Sequence, residues 1–260
     1  MLLVIDIGNT NIVVGVFNQN HLIHSWRIRT ERNTTEDEFF LLISNFLSLH
    51  GLSVQNISKT IVSCVVPPLM GMIEFFCQKH LKQEPNFVNP RSSSMPILYK
   101  NPSEVGADRI VNAVAAYRKY QTAMIVIDFG TATTFDCISK DGAYLGGAIC
   151  PGIMISAEAL FYHASKLPRV DLFNPPEHVI GKDTSESIRS GILYGYASLV
   201  DGIVERISKE MNTKPIIIAT GGLARIIAKV SNTIQHVEEM LTLEGLRILS
   251  MENDTDRMNA

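Results

Sequence analysis

Leu2-Leu3-Val4-Ile5-Asp6-Ile7-Gly8-Asn9-Thr10 opens the chain, and Met124-Ile125-Val126-Ile127-Asp128-Phe129-Gly130-Thr131-Ala132-Thr133 repeats its pattern far downstream. In each copy a run of β-formers ends in an aspartate, then come one apolar residue, a glycine and a stretch of small hydroxyl or amide residues. The pattern predicts a buried strand running into a tight polar turn. The repetition extends beyond the turns. Residues 12–17 predict a second strand, 18–20 a turn and 22–28 a third strand; residues 134–138, 140–142 and 144–149 predict the same hairpin unit again. Two units of one design predict a duplicated domain.

Such turns offer a particular chemistry. The strand holds a carboxylate at its end, Gly8 and Gly130 admit a ligand close to the backbone, and the adjoining amides and hydroxyls can donate to phosphate oxygens. A carboxylate repels phosphate unless a hard cation lies between, as magnesium does with ATP. The duplicated turns therefore predict a nucleotide in a cleft between the halves.

The rest of the chain reads as alternating strands and helices, which is an α/β pattern. Thr34 or Thr35 can cap a helix over 39–50 that stops at Gly51. Residues 59–66 predict a buried strand halted by Pro67-Pro68, and 69–82 have helical spacing. Residues 85–102, rich in proline, predict a strand and a connecting loop, and 153–162 a helix. Asp183-Thr184-Ser185-Glu186 has the form of a capping box before a long helix over 187–211, whose Gly191 and Gly195 permit close approach of another helix. Residues 215–222 predict a buried strand ending in a glycine turn, 241–250 a last helix, and 252–260 a frayed polar tail.

Gly106-Ala107-Asp108-Arg109 opens a helix that runs to Tyr120. From the residues alone Asp108 is as well explained by a helix cap as by a catalytic role, and Arg109 by an ion pair as by a carboxylate-binding fork.

Composition excludes several classes. A net charge of −3 over 260 residues gives no basic footprint, so no nucleic-acid partner is expected. Cys64, Cys77, Cys137 and Cys150 show neither paired spacing nor histidine neighbours of zinc type, and read as reduced thiols. No run approaches ~20 apolar residues and no leader pattern opens the chain, so the expectation is a cytoplasmic protein with no membrane partner. No Gly-x-x-x-x-Gly-Lys-Ser/Thr or Gly-x-Gly-x-x-Gly occurs, and the seven histidines fall into no metal-ligand spacing.

The duplicated Asp-x-Gly-x-Thr turns resemble the phosphate motifs of the actin, sugar-kinase and Hsp70 ATPase superfamily. Together with Gly106-Ala107-Asp108-Arg109 and Gly181-Lys182-Asp183-Thr184, in that order, they are similar to type III pantothenate kinase. The resemblance implies two ribonuclease H-like (actin-like) domains, residues 1–118 and 119–260, with a nucleotide cleft between them. It implies that Asp6, Ile7, Gly8, Asn9, Thr10, Asn11, Ile12, Val13 and Thr131 bind ATP, with Asp6 near magnesium. It makes Asp128 the ligand of an activating potassium or ammonium ion, and Asp108 the general base. It assigns Tyr99, Gly106, Ala107, Asp108, Arg109 and Thr184 to pantothenate, and implies a homodimer. The activity implied is transfer of the ATP γ-phosphate to pantothenate, the first step of coenzyme A biosynthesis. Two other classes stay open: a kinase of the same superfamily acting on another small alcohol, and a non-catalytic metabolite-binding regulator. Retention of Asp108 beside both turns weighs against the regulator, which needs no base.

Overall fold

The structure, a computed structural model, describes the backbone of residues 1–259 and the side chains through Glu252. In chain order its elements are β1 (Leu2–Ile7), β2 (Asn11–Asn18), β3 (His21–Arg29), α1 (Glu36–Ser48), β4 (Lys59–Cys64), α2 (Met70–Phe76), β5 (Asn86–Phe87) and α3 (Ala107–Tyr120). Then come β6 (Met124–Phe129), β7 (Ala132–Ile138), β8 (Tyr144–Pro151), α4 (Ile153–His163), α5 (Thr184–Glu210), β9 (Ile216–Gly221), α6 (Ala224–Ile227), β10 (His236–Val237) and α7 (Leu241–Asn259). They form two units. The first takes residues 1–94, 100–115 and the stretch from Thr242; the second takes residues 95–99 and 116–241.

Each unit is built on a five-stranded mixed sheet. The orders are β3-β2-β1-β4-β5 and β8-β7-β6-β9-β10, so the second sheet repeats the first strand for strand. In each, three antiparallel strands are joined by two that run parallel to the first. Even the irregularity repeats: the register shifts between Val16 and Phe17 on β2 and between Cys137 and Ile138 on β7, three and four residues beyond the partner of each strand-end aspartate.

β1 and β6 are continuous apolar runs because both their faces are covered. On one face of β1, Leu3, Ile5 and Ile7 pack with Phe39, Ile43 and Leu47 of α1 and Ile73 and Phe76 of α2. On the other, Val4 lies by Gly15, where an added Cβ would stand 2.9 Å from Val4 Cγ2 and 3.1 Å from Leu243 Cδ1 of α7. In the second unit Ile125, Ile127 and Phe129 pack with Ile192, Leu193, Tyr196 and Val200 of α5. Strand alternation then puts Asp6 and Asp128 on the face opposite these cores.

The caps obey the residues. Thr35 Oγ1 accepts from the Glu38 amide at 3.3 Å while Glu38 Oε2 accepts from the Thr35 amide at 2.8 Å, so the box forms at Thr35 rather than Thr34. At α5, Asp183 Oδ1 accepts from the Glu186 amide at 2.8 Å, but Glu186 Oε2 takes the Lys182 amide instead of closing the box. Among the described residues the glycines of α5 meet no neighbouring helix: a Cβ at Gly191, Gly195 or Gly202 would have nothing within 4 Å. α2 passes into a π-turn over Cys77–Leu81 and ends at Lys82, whose φ is 57°. α7 is longer than its sequence predicts. It runs on to Asn259, through most of the stretch expected to fray, and Ala260 lies outside the described residues.

Candidate active site

The first turn closes on itself and is tied to the end of β3. The Gly8 amide donates to the Asn11 carbonyl at 3.0 Å, Thr30 Oγ1 donates to the Gly8 carbonyl at 2.7 Å, and the Thr30 amide donates to the Thr10 carbonyl at 3.0 Å. A Cβ at Gly8 would stand 3.1 Å from the Asn11 carbonyl, a tight contact that the glycine avoids. Asn9 and Thr10 are exposed, Asp6, Gly8, Asn11 and Val13 half-buried, and Ile7 and Ile12 buried in the core. Of the eight residues of this turn expected to meet a nucleotide, Ile7 and Ile12 therefore have only backbone to offer.

Asp108 sits in the first turn of α3, where the helix dipole favours a carboxylate. Its Oδ1 accepts from the Arg109 amide at 2.8 Å, and a Cβ on Gly106 would stand 2.6 Å from that oxygen, so a larger residue there would displace the Asp108 carboxylate. Burial pushes the Asp108 carboxyl above the usual carboxylate range, against the opposing pull of the Arg109 amide and guanidinium. Arg109 is itself buried, 8% exposed, which no surface ion pair requires. A carboxylate with a raised pKa is a better proton acceptor.

The second turn is built the same way and hemmed in more closely. The Gly130 amide donates to the Ala132 carbonyl at 3.1 Å, and Thr131 is exposed. Gly221, at the end of β9, has φ of 90°, and a Cβ there would collide with Asp128 Oδ1 and stand 2.8 Å from the Phe129 backbone. Gly152, before α4, has no room for a Cβ against the Thr131 carbonyl, and Gly130 O would be 2.7 Å away. The sequence places Gly221 in a glycine turn but finds neither its neighbour nor that of Gly152. The residue type carries a signal, but the contact needs the register: Phe129 pairs with Gly221 and Asp128 with Thr220.

Tyr99 is half-buried against β8: a Cβ on Gly146 would lie 3.5 Å from its ring, and its centroid is 6.5 Å from that of Tyr144. Thr184 is the first residue of α5 and exposed. It lines an open cavity of about 530 Å³ with Leu167, Gly181, Lys182, Asp183, Ser187 and Ile188. The structure thus brings Gly106, Asp108 and Arg109 together, and gathers Asp128, Thr131 and Gly221 about the second turn. Tyr99 and Thr184 stand on separate elements of the second unit.

No group of three or more His, Cys, Asp or Glu suited to a metal ion occurs among the described residues. A divalent cation that keeps waters and takes phosphate oxygens needs no such cage. The donors near Asp6 fit that case. They include the Asp6 carboxylate and Ser63 Oγ, on the strand beside it, which is buried with no hydrogen-bond partner among the described residues. Asp128, with the hydroxyl residue Thr220 in register beside it, offers oxygen donors of the kind that suit a hard monovalent ion.

A sequence profile described as type III pantothenate kinase matches residues 2–206. A type III pantothenate kinase of Desulfatibacillum aliphaticivorans is 63% identical over 250 residues, covering 96% of this chain and 97% of the relative; one of Desulforapulum autotrophicum is 60% identical over 252 residues, covering 96% of each. Among solved structures, a ROK hexokinase from Thermus thermophilus aligns with TM-score 0.55 at 12% identity over 97% of this chain and 99% of its own. MreB 5 of Spiroplasma citri aligns with TM-score 0.59 at 11% identity over 99% and 98%. Those two likenesses establish the actin-like fold of duplicated α/β units. The match over nearly its whole length establishes that the chain belongs to the type III pantothenate kinase family.

Proposed function

We propose that the chain transfers the γ-phosphate of ATP to the primary hydroxyl of pantothenate, giving 4'-phosphopantothenate and ADP in the cytoplasm as the first step of coenzyme A biosynthesis. The observation that carries this reading is Asp108: a desolvated carboxylate at a helix start, with a raised pKa, between Gly106 and a buried Arg109. Its carboxylate takes the hydroxyl proton as that oxygen bonds to the γ-phosphorus and the bond to the ADP oxygen breaks. Phosphoryl transfer passes through a loose transition state, so holding the reactants matters more than basicity.

In this reading the turn of Asp6, Ile7, Gly8, Asn9, Thr10, Asn11, Ile12 and Val13, with Thr131, holds ATP, largely through backbone donors and small side chains. Asp6 would hold magnesium and Asp128 potassium or ammonium; when bound, these ions neutralise phosphate charge. Arg109 offers its guanidinium to the pantothenate carboxylate. Gly106, Ala107, Tyr99 and Thr184 complete the acceptor contacts.

A homodimer belongs to the same reading. α4 leaves Met154, Ile155, Leu160 and Tyr162 exposed, and Leu145 and Ile149 are exposed on β8. That apolar surface suits a second copy of the chain.

Incubation with ATP, magnesium, potassium and pantothenate, with ³¹P NMR and mass analysis of the products, tests the reaction. Equal yields of ADP and a pantothenate phosphomonoester are expected. Phosphorylation of a sugar or polyol with pantothenate left untouched would contradict the acceptor.

A further inference from the structure

We propose that Ser63 is a positioning residue for the nucleotide end of the site: when ATP binds with its divalent cation, the Ser63 hydroxyl turns to donate to the Asp6 carboxylate and holds it in the orientation that takes the cation. This rests on the reading of Asp6 as the cation-side carboxylate and adds a residue to it.

β1 and β4 run parallel with Asp6 opposite Ser63, and residues paired in a parallel ladder project from the same face, on strands ~4.8 Å apart. A serine and an aspartate so placed reach one another by rotation of the short serine side chain. The Ser63 side chain is fully buried, and its hydroxyl has no hydrogen-bond partner among the described residues. A buried hydroxyl left unmade costs ~1–3 kcal/mol, so alanine there would be the more stable choice for a strand that only had to pack. Ile61 and Val62, on the same strand, are fully buried and apolar.

The second unit repeats the arrangement. Asp128 pairs with Thr220 across β6 and β9, and Thr220 is 2% exposed. Both strand-end carboxylates therefore have a buried hydroxyl beside them on the neighbouring parallel strand. A hydroxyl in this place donates to a carboxylate without adding charge that would compete with the cation.

The test is calorimetric titration of ATP, with and without magnesium and with no acceptor present, into the full chain and its Ser63→Ala and Ser63→Cys variants. Ser63→Ala is expected to weaken magnesium-dependent ATP binding about tenfold, leave magnesium-free binding near the parent value, and keep or raise the melting temperature without ligand. Ser63→Cys keeps the volume but donates weakly, and should resemble alanine rather than the parent. Parent affinity in either variant overturns the proposal, and so does a fall in the unliganded melting temperature that matches the loss of affinity. Asp6→Asn separates the two levels of the reading. If it too binds like the parent, the assignment of Asp6 is wrong; if it weakens binding and Ser63→Ala does not, only the role of Ser63 falls.

Discussion

The two turns share a scaffold and differ in how tightly they grip their carboxylates. In both, the aspartate ends a central strand and is flanked by an antiparallel neighbour, Val13 or Thr134, and a parallel one, Ser63 or Thr220. One residue further on they part. Ile7 is paired with Cys64, an L-residue whose thiol donates to the Val66 carbonyl at 3.3 Å. Phe129 is paired with Gly221, whose positive φ turns the backbone against Asp128. The sheet decides where each carboxylate stands, and the next residue of the neighbouring strand decides what lies against it: glycine backbone beside Asp128, a cysteine side chain beside the turn of Asp6. In the proposed reading the backbone-lined carboxylate holds the monovalent ion and the other the magnesium with ATP.

The largest effect should come from the group in neither turn. Asp108→Asn is expected to lower turnover on the order of a hundredfold or more while circular dichroism and melting temperature stay those of the parent. A folded variant with parent turnover would reduce Asp108 to a helix cap. Next, replacing potassium and ammonium by sodium should remove most activity, with little change in magnesium-ATP affinity, if the backbone-lined carboxylate holds a monovalent ion. Full rates in sodium would dissolve the functional contrast between the turns.

Substitution at the paired position probes the same contrast residue by residue. Gly221→Ala meets both the strained φ and the Asp128 oxygen, and should cost ~1–3 kcal/mol of stability and raise the potassium concentration needed for half-activation. Cys64→Ala, at the equivalent place, should change stability by ~1 kcal/mol and leave the potassium dependence alone. Equal potassium responses in the two variants would show that the glycine does not set the grip on Asp128. The smallest effect lies in pH. Because burial raises the Asp108 pKa, the carboxylate protonates sooner as pH falls, so the acid limb of kcat/KM should lie above the usual carboxylate range. An acid limb at ordinary carboxylate pH would place the base elsewhere.

Much of this is legible in the residues because the strongest elements are also the most regular. β1 and β6 announce themselves as unbroken apolar runs closing on Asp-x-Gly, and the Thr35 and Asp183 caps obey short-range rules. The register is not legible. That Gly221 lies against Asp128, and Ser63 beside Asp6, depends on how strands far apart in sequence are aligned, which no local pattern states. Nor does any local pattern state that the missing Cβ of Gly152 lets the chain pass the Thr131 carbonyl. α7 outruns its expected end because a polar composition disfavours, but does not forbid, a helix continued from an anchored one: Leu241, Leu243, Leu246 and Leu249 are all buried.

Whether Asp108 serves a pantothenate-dependent phosphoryl transfer is decided by steady-state ADP release from the full chain with ATP, magnesium and potassium, in the presence and absence of pantothenate, for the parent and Asp108→Asn. Release that requires pantothenate in the parent and falls a hundredfold or so in the variant is the predicted result. Release indifferent to pantothenate, or unchanged in the folded variant, would contradict it.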